Sequence, residues 1–117
     1  MKSIIVSMMA VAGLMVAGSS LATDMPDLAK KNGCTGCHAI DKKLVGPAWQ
    51  DVANKYKDAK TYSFGGKDYP VEEGLMMKVS KGGSGNWGTI PMIANDPKGT
   101  KQASIKELVE FVMGLAK

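Results

Sequence analysis

The sequence contains no arginine, one histidine and only two cysteines, and these shortages exclude several classes of protein. A structural zinc site usually needs four cysteine or histidine ligands, and only three such residues are present. All 15 basic residues are lysines, set against 11 acids, and the net charge of +4 is weak for nucleic-acid binding, which favours a strongly basic face. We expect no nucleic-acid partner; a lysine-rimmed surface would suit an acidic protein partner instead.

Long apolar runs are equally scarce, and the clearest one lies at the N-terminus. Lys2 precedes the uncharged run of residues 4–17, and small residues follow, with Ser20 and Ala22 at the positions that a signal peptidase reads. This layout predicts a secretory signal peptide over residues 1–22, cleaved after Ala22, and an exported, periplasmic domain over residues 23–117. The alternative, an uncleaved membrane anchor, is disfavoured because the run is short for a span of roughly 20 residues and no positive charges follow it.

No segment of the remaining chain alternates long enough for a substantial sheet, which predicts an all-α fold. Four helical stretches are expected: residues 25–32, 47–57, 70–81, and a last one beginning at Thr100 or Ser104. The pattern also predicts an N-cap at Asp24 and a capping box from Ser104 to Glu107. Residues 62–69 would form either a small hairpin around Gly65-Gly66 or a plain loop.

Both cysteines and the histidine fall within five residues, Cys34-Thr35-Gly36-Cys37-His38. This spacing is the attachment signature of c-type haem, because two thiols three positions apart can join the two vinyl groups on one porphyrin edge. His38 would then lie under the iron as the proximal ligand. A disulfide would close only a very small loop and leave the histidine unexplained, and a thioredoxin-like pair needs a βαβ context that is absent. The sequence therefore predicts one covalently bound haem c.

The second axial ligand cannot be another histidine of the same chain, so a methionine is expected, unless a lysine binds or the position stays open. Met92 follows a glycine-rich loop and Pro91, where an apolar side chain needs a reason to be present. Met76 and Met77 on the third helix are its main competitors. Met25, near the attachment site, and Met113, on the last helix, are less suitable.

On these residues the chain resembles the class I cytochromes c, and most closely the short bacterial c-551, c-552 or c8 type. The matching stretches are residues 27–40, 44–52 and 85–92, which read DLAKKNGCTGCHAI, LVGPAWQDV and GNWGTIPM. They spread over most of the expected mature chain. The resemblance implies a small fold of about four helices wrapped around one haem.

The resemblance also implies roles for individual residues. Met92 would be the distal ligand, and the Pro47 carbonyl would accept a hydrogen bond from His38. Trp87 would reach a haem propionate and Asn95 would hydrogen-bond near the methionine sulfur. Gly33 and Phe111 would pack closely where the first and last helices cross.

Two departures from the family pattern bear on these roles. The usual Met-Pro-Pro-Asn is replaced by residues 92–95, Met-Ile-Ala-Asn, which puts the role of Asn95 in doubt. The segment over residues 59–74 is longer than in similar proteins. It is either a tolerated surface insertion or a cover in which Tyr62, Phe64 and Tyr69 lie over a haem edge or form a partner surface.

The expected function is reversible one-electron transfer between respiratory redox proteins, by a monomeric carrier and not an enzyme. The donor would be a cytochrome complex or a reductase, and the acceptor an oxidase or a reductase, each met transiently. Two alternatives remain: a haem enzyme or gas sensor with a labile sixth ligand, and a thiol-disulfide oxidoreductase. The first lacks a second histidine or an arginine that could assist peroxide cleavage.

Overall fold

A computed structural model describes residues 24–117, so the predicted signal peptide and its cleavage site lie outside the described residues. In chain order the elements are α1 (Asp27–Lys31), a 3₁₀ turn (Cys34–Gly36), α2 (Trp49–Tyr56), β1 (Thr61–Phe64), β2 (Lys67–Pro70), α3 (Val71–Lys81) and α4 (Gln102–Met113). Over residues 24–117 the prediction of a mostly helical fold with a small hairpin is confirmed. None of the helices in this range is both long and apolar enough to cross a bilayer.

The core forms where α4 packs against α2 and α3, and where α3 packs against the hairpin. Apolar residues recur at helical spacing on each inner face, and the buried ones include Trp49, Val52, Tyr56, Leu75, Ile105, Leu108, Val109 and Val112. Each large side chain of this kind contributes roughly 1.5–3 kcal/mol when fully buried. Phe111 of α4 meets Trp49 of α2 edge to face, with ring centroids 6.0 Å apart. This packing fixes the helices that later form the walls of the site.

The predicted helix caps are wrong. Helix α1 begins after Pro26, with no side-chain cap from Asp24. Helix α4 begins at Gln102, so Ser104 and Glu107 lie inside the helix and cannot form a capping box. Among residues 24–117, no side chain caps α4 either; a buried carboxylate in the preceding loop orders the backbone that leads into the helix.

That carboxylate belongs to Asp96, which is only 4% exposed. It accepts hydrogen bonds of 2.8 Å from the backbone N–H groups of Thr100 and Lys101 and from the side chain of Gln102. Burial opposes its ionisation, but these bonds outweigh burial and hold the pKa of Asp96 below its ordinary value. Asp96 therefore orders the loop that leads into α4.

The close approach predicted between Gly33 and Phe111 is also wrong. A Cβ added at Gly33 would meet no atom within 4 Å. Its φ of +75° places Gly33 in the left-handed region just after α1, where glycine commonly ends a helix. Backbone conformation, and not helix crossing, explains the glycine.

The segment over residues 61–70 is a true hairpin. Phe64 pairs with Lys67 across the two-residue turn Gly65-Gly66, and both glycines have positive φ. This geometry matches a turn that needs φ above zero at both central positions. Of the two readings offered by the sequence, the hairpin is correct and the plain loop is not.

Candidate functional site

A cavity of about 380 Å³ lies between the attachment motif, the core helices and the loop that precedes Met92. Its walls are largely apolar, with Val52, Leu75, Leu108, Val109 and Val112 among the lining residues. The structure brings together at this cavity every site residue expected from the sequence: Cys34, Cys37, His38, Pro47, Trp87, Met92 and Asn95. Its size and its few polar groups are typical of a cofactor pocket.

The cysteine and histidine residues are held together by local backbone bonds. The 3₁₀ turn is closed by bonds from the N–H groups of Cys37 and His38 to the carbonyl oxygen of Cys34, at 3.1 and 2.9 Å. Both cysteines are half-buried and free of a disulfide. Burial raises the pKa of the Cys34 thiol, with a smaller contribution from Cys37. The two thiols are thus presented side by side at one edge of the cavity.

The imidazole of His38 is fixed by the chain that follows it. Its Nδ1 lies 2.9 Å from the carbonyl oxygen of Pro47, so the tautomer with its proton on Nδ1 donates there. Nε2 is then free to bind a metal. Gly46 leaves room for the ring, because a Cβ at that position would lie 2.5 Å from Cε1 of His38. A bond of 2.8 Å from the Gly46 N–H to the Cys37 carbonyl holds the segment in place.

Met92 ends a loop that is closed at its base. Gly83 and Met92 exchange two backbone hydrogen bonds, each of 2.9 Å. Gly82 lies directly against the Met92 carbonyl, where a side chain would collide with the backbone. The loop therefore places Met92 on the wall of the cavity.

The other methionines of the described chain lie elsewhere. Met76 and Met77 line a second cavity of about 420 Å³ beside the Asp96 loop, and neither lines the first. Met25 and Met113 are partly buried against the core. Of these five methionines, Met92 alone lines the cavity that also holds His38.

Trp87 and Asn95 both line the cavity. Trp87 is 40% exposed, and the Nζ of Lys55 lies over its ring, 4.4 Å from the ring centroid. The side-chain amide of Asn95 donates to the carbonyl oxygens of Val79 and Ile93, at 3.2 and 3.3 Å. The role of Asn95 towards the Met92 sulfur stays a prediction.

Sequence reasoning missed Lys78, a buried cation on the cavity wall. Lys78 is 9% exposed, and its Nζ donates to the carbonyl oxygen of Gly83 at 2.7 Å. Burial lowers the pKa of this amine. The helical spacing could have indicated this position, because Lys78 comes seven residues after Val71 and three residues after Leu75. That spacing places Lys78 on the apolar face of α3.

Tyr62 also lines the cavity. The sequence left two interpretations of its segment open: a surface insertion, or a cover over the cofactor or partner surface. It is 1% exposed and its ring centroid lies 4.9 Å from that of Tyr56. Burial raises the pKa of Tyr62 far above its ordinary value. The reading as a mere surface insertion is therefore wrong for this strand.

The arrangement suits one kind of cofactor better than a bare metal ion. Among residues 24–117 there is no group of three or more histidine, cysteine or carboxylate ligands. The cavity offers at most one imidazole and one thioether, together with two thiols at an edge. These donors fit a metal that is already held by a flat, largely apolar macrocycle with two reactive substituents.

The comparisons with known proteins agree with this site. No family model matches the chain. The chain is 41% identical over 107 residues to cytochrome c-551 of Allochromatium vinosum, covering 92% of this chain and 100% of that protein. It is 38% identical over 118 residues to cytochrome c-552 of Nitrosomonas europaea, covering 98% and 99%. The crystal structure of Nitrosomonas europaea cytochrome c552 superposes with a TM-score of 0.62, at 38% identity, over 76% of this chain and 96% of that one.

Proposed function

The chain belongs to the cytochrome c-551 and c-552 family of class I cytochromes c, and from this premise we propose that it is an exported carrier of single electrons. As a member of this family it carries one covalently bound haem c, which supplies a reversible change between ferric and ferrous iron. We propose that His38 and Met92 are its axial ligands and that Cys34 and Cys37 form the thioether bonds. The single observation that carries this assignment is that all four residues line one cavity.

Residues of the chain would hold the cofactor in one orientation. The bond of His38 Nδ1 to the Pro47 carbonyl fixes the ring and strengthens Nε2 as a donor. Trp87 and Lys78, both on the cavity wall, are the N–H donors that suit the propionates. The apolar walls from α2, α3 and α4 would exclude water, which favours the less charged, ferrous state.

Electrons would enter and leave at the open mouth of the cavity. Val45, Ile90 and Ile93 are lining residues that are also exposed, and Lys43 lies beside them. An apolar patch with lysine at its rim suits brief docking of an acidic redox protein. We propose respiratory complexes, reductases or oxidases as donors and acceptors, and a monomeric carrier.

Export follows from the N-terminal sequence. We propose that residues 1–22 are removed after Ala22 and that the mature domain works in the periplasm. Mass spectrometry of the exported protein would show a chain that begins at Thr23 and has gained one haem. A polypeptide with free thiols and no added mass would contradict both attachment and function.

The variant Met92→Ala tests the ligand assignment, with Met77→Ala as the matched control on the second cavity. Met92→Ala should retain covalent haem, lose the far-red absorption band that reports sulfur-to-iron bonding, and bind carbon monoxide rapidly when reduced. Met77→Ala should behave like the wild type. Survival of the band in Met92→Ala would contradict the assignment, and rapid carbon monoxide binding by the wild type would favour an enzyme or gas sensor with an open site.

A further inference from the structure

The hairpin over residues 61–70 is part of the site and not an appendage. Tyr62 packs into the core, and Gly74 of α3 has no side chain where the Tyr62 ring lies, since a Cβ there would be 2.6 Å from that of Tyr62. Any side chain at residue 74 would therefore push β1 away from α3. The hairpin has a fixed position relative to the cavity.

From this position the hairpin reaches the loop that carries Met92. The side-chain amide of Asn86 donates to the carbonyl oxygen of Ser63 in β1, at 3.0 Å. Asn86 lies within the loop, three residues after Gly83, away from the Gly83–Met92 pair that closes the base of the loop. The hairpin and the loop base thus hold the loop at two separate points.

Helix α2 holds the same point from the other side. Lys55 donates from Nζ to the backbone carbonyl of Asn86 at 3.2 Å, and the same Nζ lies over the Trp87 ring. Burial raises the pKa of Tyr56, and the polar side chain of Asn86 partly offsets this rise. Asn86 is therefore the residue at which the loop, the hairpin and α2 meet.

These contacts connect the loop to the rest of the polypeptide. Among residues 84–91, Asn86 alone forms hydrogen bonds to other elements of the structure. The residues after Met92 are Ile93 and Ala94, so no proline restrains that side of the loop. A segment with so few hydrogen bonds to its surroundings opens more easily when one of them is lost.

We infer that the hairpin, acting through Ser63 and Asn86, is a positioning device that keeps Met92 on the cofactor by opposing opening of the loop. This inference rests on the proposed ligation by His38 and Met92. Asn86 and Ser63 are positioning residues, since neither has to touch the cofactor. Loss of their bond would raise the open fraction of the loop, and any external ligand would bind in proportion to that fraction.

The test is a titration of the ferric holoprotein with imidazole. Imidazole binding is measured by the loss of the far-red absorption band. In Asn86→Ala the apparent affinity for imidazole should rise roughly fivefold, the factor expected for one net hydrogen bond. Gly66→Val strains the hairpin turn, where φ is +84° and no other atom lies near, and should shift the affinity in the same direction. Thr89→Ala, an exposed site on the same loop, is the matched control and should match the wild type.

Each outcome decides the matter. Equal imidazole affinity in wild type, Asn86→Ala and Gly66→Val overturns the inference, and so does an equal rise in Thr89→Ala. A wild-type protein with haem but no far-red band overturns the proposed ligation, and the inference with it. Urea unfolding of the same variants separates the effect from general destabilisation, because loop opening raises the imidazole affinity of molecules that remain folded.

Discussion

Gly46 lies against the imidazole of His38, and one added methyl group at this position should displace the ring. In Gly46→Ala the new Cβ would lie 2.5 Å from Cε1 and 3.0 Å from both ring nitrogens, against an ordinary contact of 3.4–4 Å. The ring must move by about 1 Å, which stretches the 2.9 Å bond to Pro47 beyond hydrogen-bonding range. The substitution therefore perturbs the His38 side of the site without removing any of the proposed ligands.

Two magnitudes follow from this displacement. Overpacking of this kind costs roughly 1–3 kcal/mol, while replacing glycine by alanine stabilises by about 0.4–1 kcal/mol through the unfolded chain. Gly36→Ala is the matched control, because a Cβ there meets nothing within 4 Å and φ is not positive. The difference in unfolding free energy between the two variants should be about 1–3 kcal/mol, since the unfolded-state term cancels.

The midpoint potential gives an independent readout of the same change. An imidazole that no longer donates to Pro47 is a weaker donor to ferric iron, so the potential of Gly46→Ala should rise. A hydrogen bond such as that of His38 to Pro47 contributes roughly 0.5–1.5 kcal/mol, which corresponds to a shift of roughly 20–65 mV in a one-electron midpoint potential. The assays are urea unfolding and spectroelectrochemical titration of the holoprotein. If Gly46→Ala and Gly36→Ala have equal unfolding free energies and equal potentials, the ring is not held in the way we describe.

Two further predictions concern charged residues that the structure buries. Lys78→Met removes a cation from the cavity wall, which should lower the midpoint potential because a nearby positive charge disfavours ferric iron. An interaction on the order of 1 kcal/mol corresponds to about 40 mV. The exposed Lys81→Met should leave the potential unchanged in the same spectroelectrochemical titration. The folded pKa of Asp96 lies below its unfolded value of about 3.9, so its stabilising effect is complete above that pH and is lost as the pH falls through the folded pKa. Asp96→Asn should therefore be less stable than wild type at neutral pH, and its unfolding free energy should fall less as the pH drops below about 4. If urea unfolding shows the same fall for both proteins, Asp96 does not have the role that its hydrogen bonds indicate.

Local patterns predicted the parts of the fold that depend on neighbours in sequence. The apolar spacing along Trp49–Tyr56 and along α4 identified the inner faces, since a 3.6-residue period is a property of the helix itself. The attachment motif could be read in the same way, because its five residues are consecutive. The glycine pair at 65–66 likewise carried its turn geometry in its residue types.

What escaped prediction depends on contacts between distant segments. The backbone that leads into α4 is ordered by Asp96, six residues before the first residue of the helix, so a motif written for adjacent positions selected Ser104 instead. Tyr62 is buried because it meets Tyr56 and the bare backbone of Gly74, and nothing in its own strand indicates this. Lys78 was passed over because a helical lysine usually faces water.

The compactness of the attachment turn has a consequence for biosynthesis. The two sulfurs and the imidazole come from one pentapeptide, and most of its backbone hydrogen bonds are local, with Gly33 and within the turn; the bond from Gly46 to Cys37 comes from further along the chain. An enzyme that attaches the haem would need to recognise only this short stretch, so attachment would not require a folded domain. We therefore expect the haem to be attached before the surrounding helices pack against it.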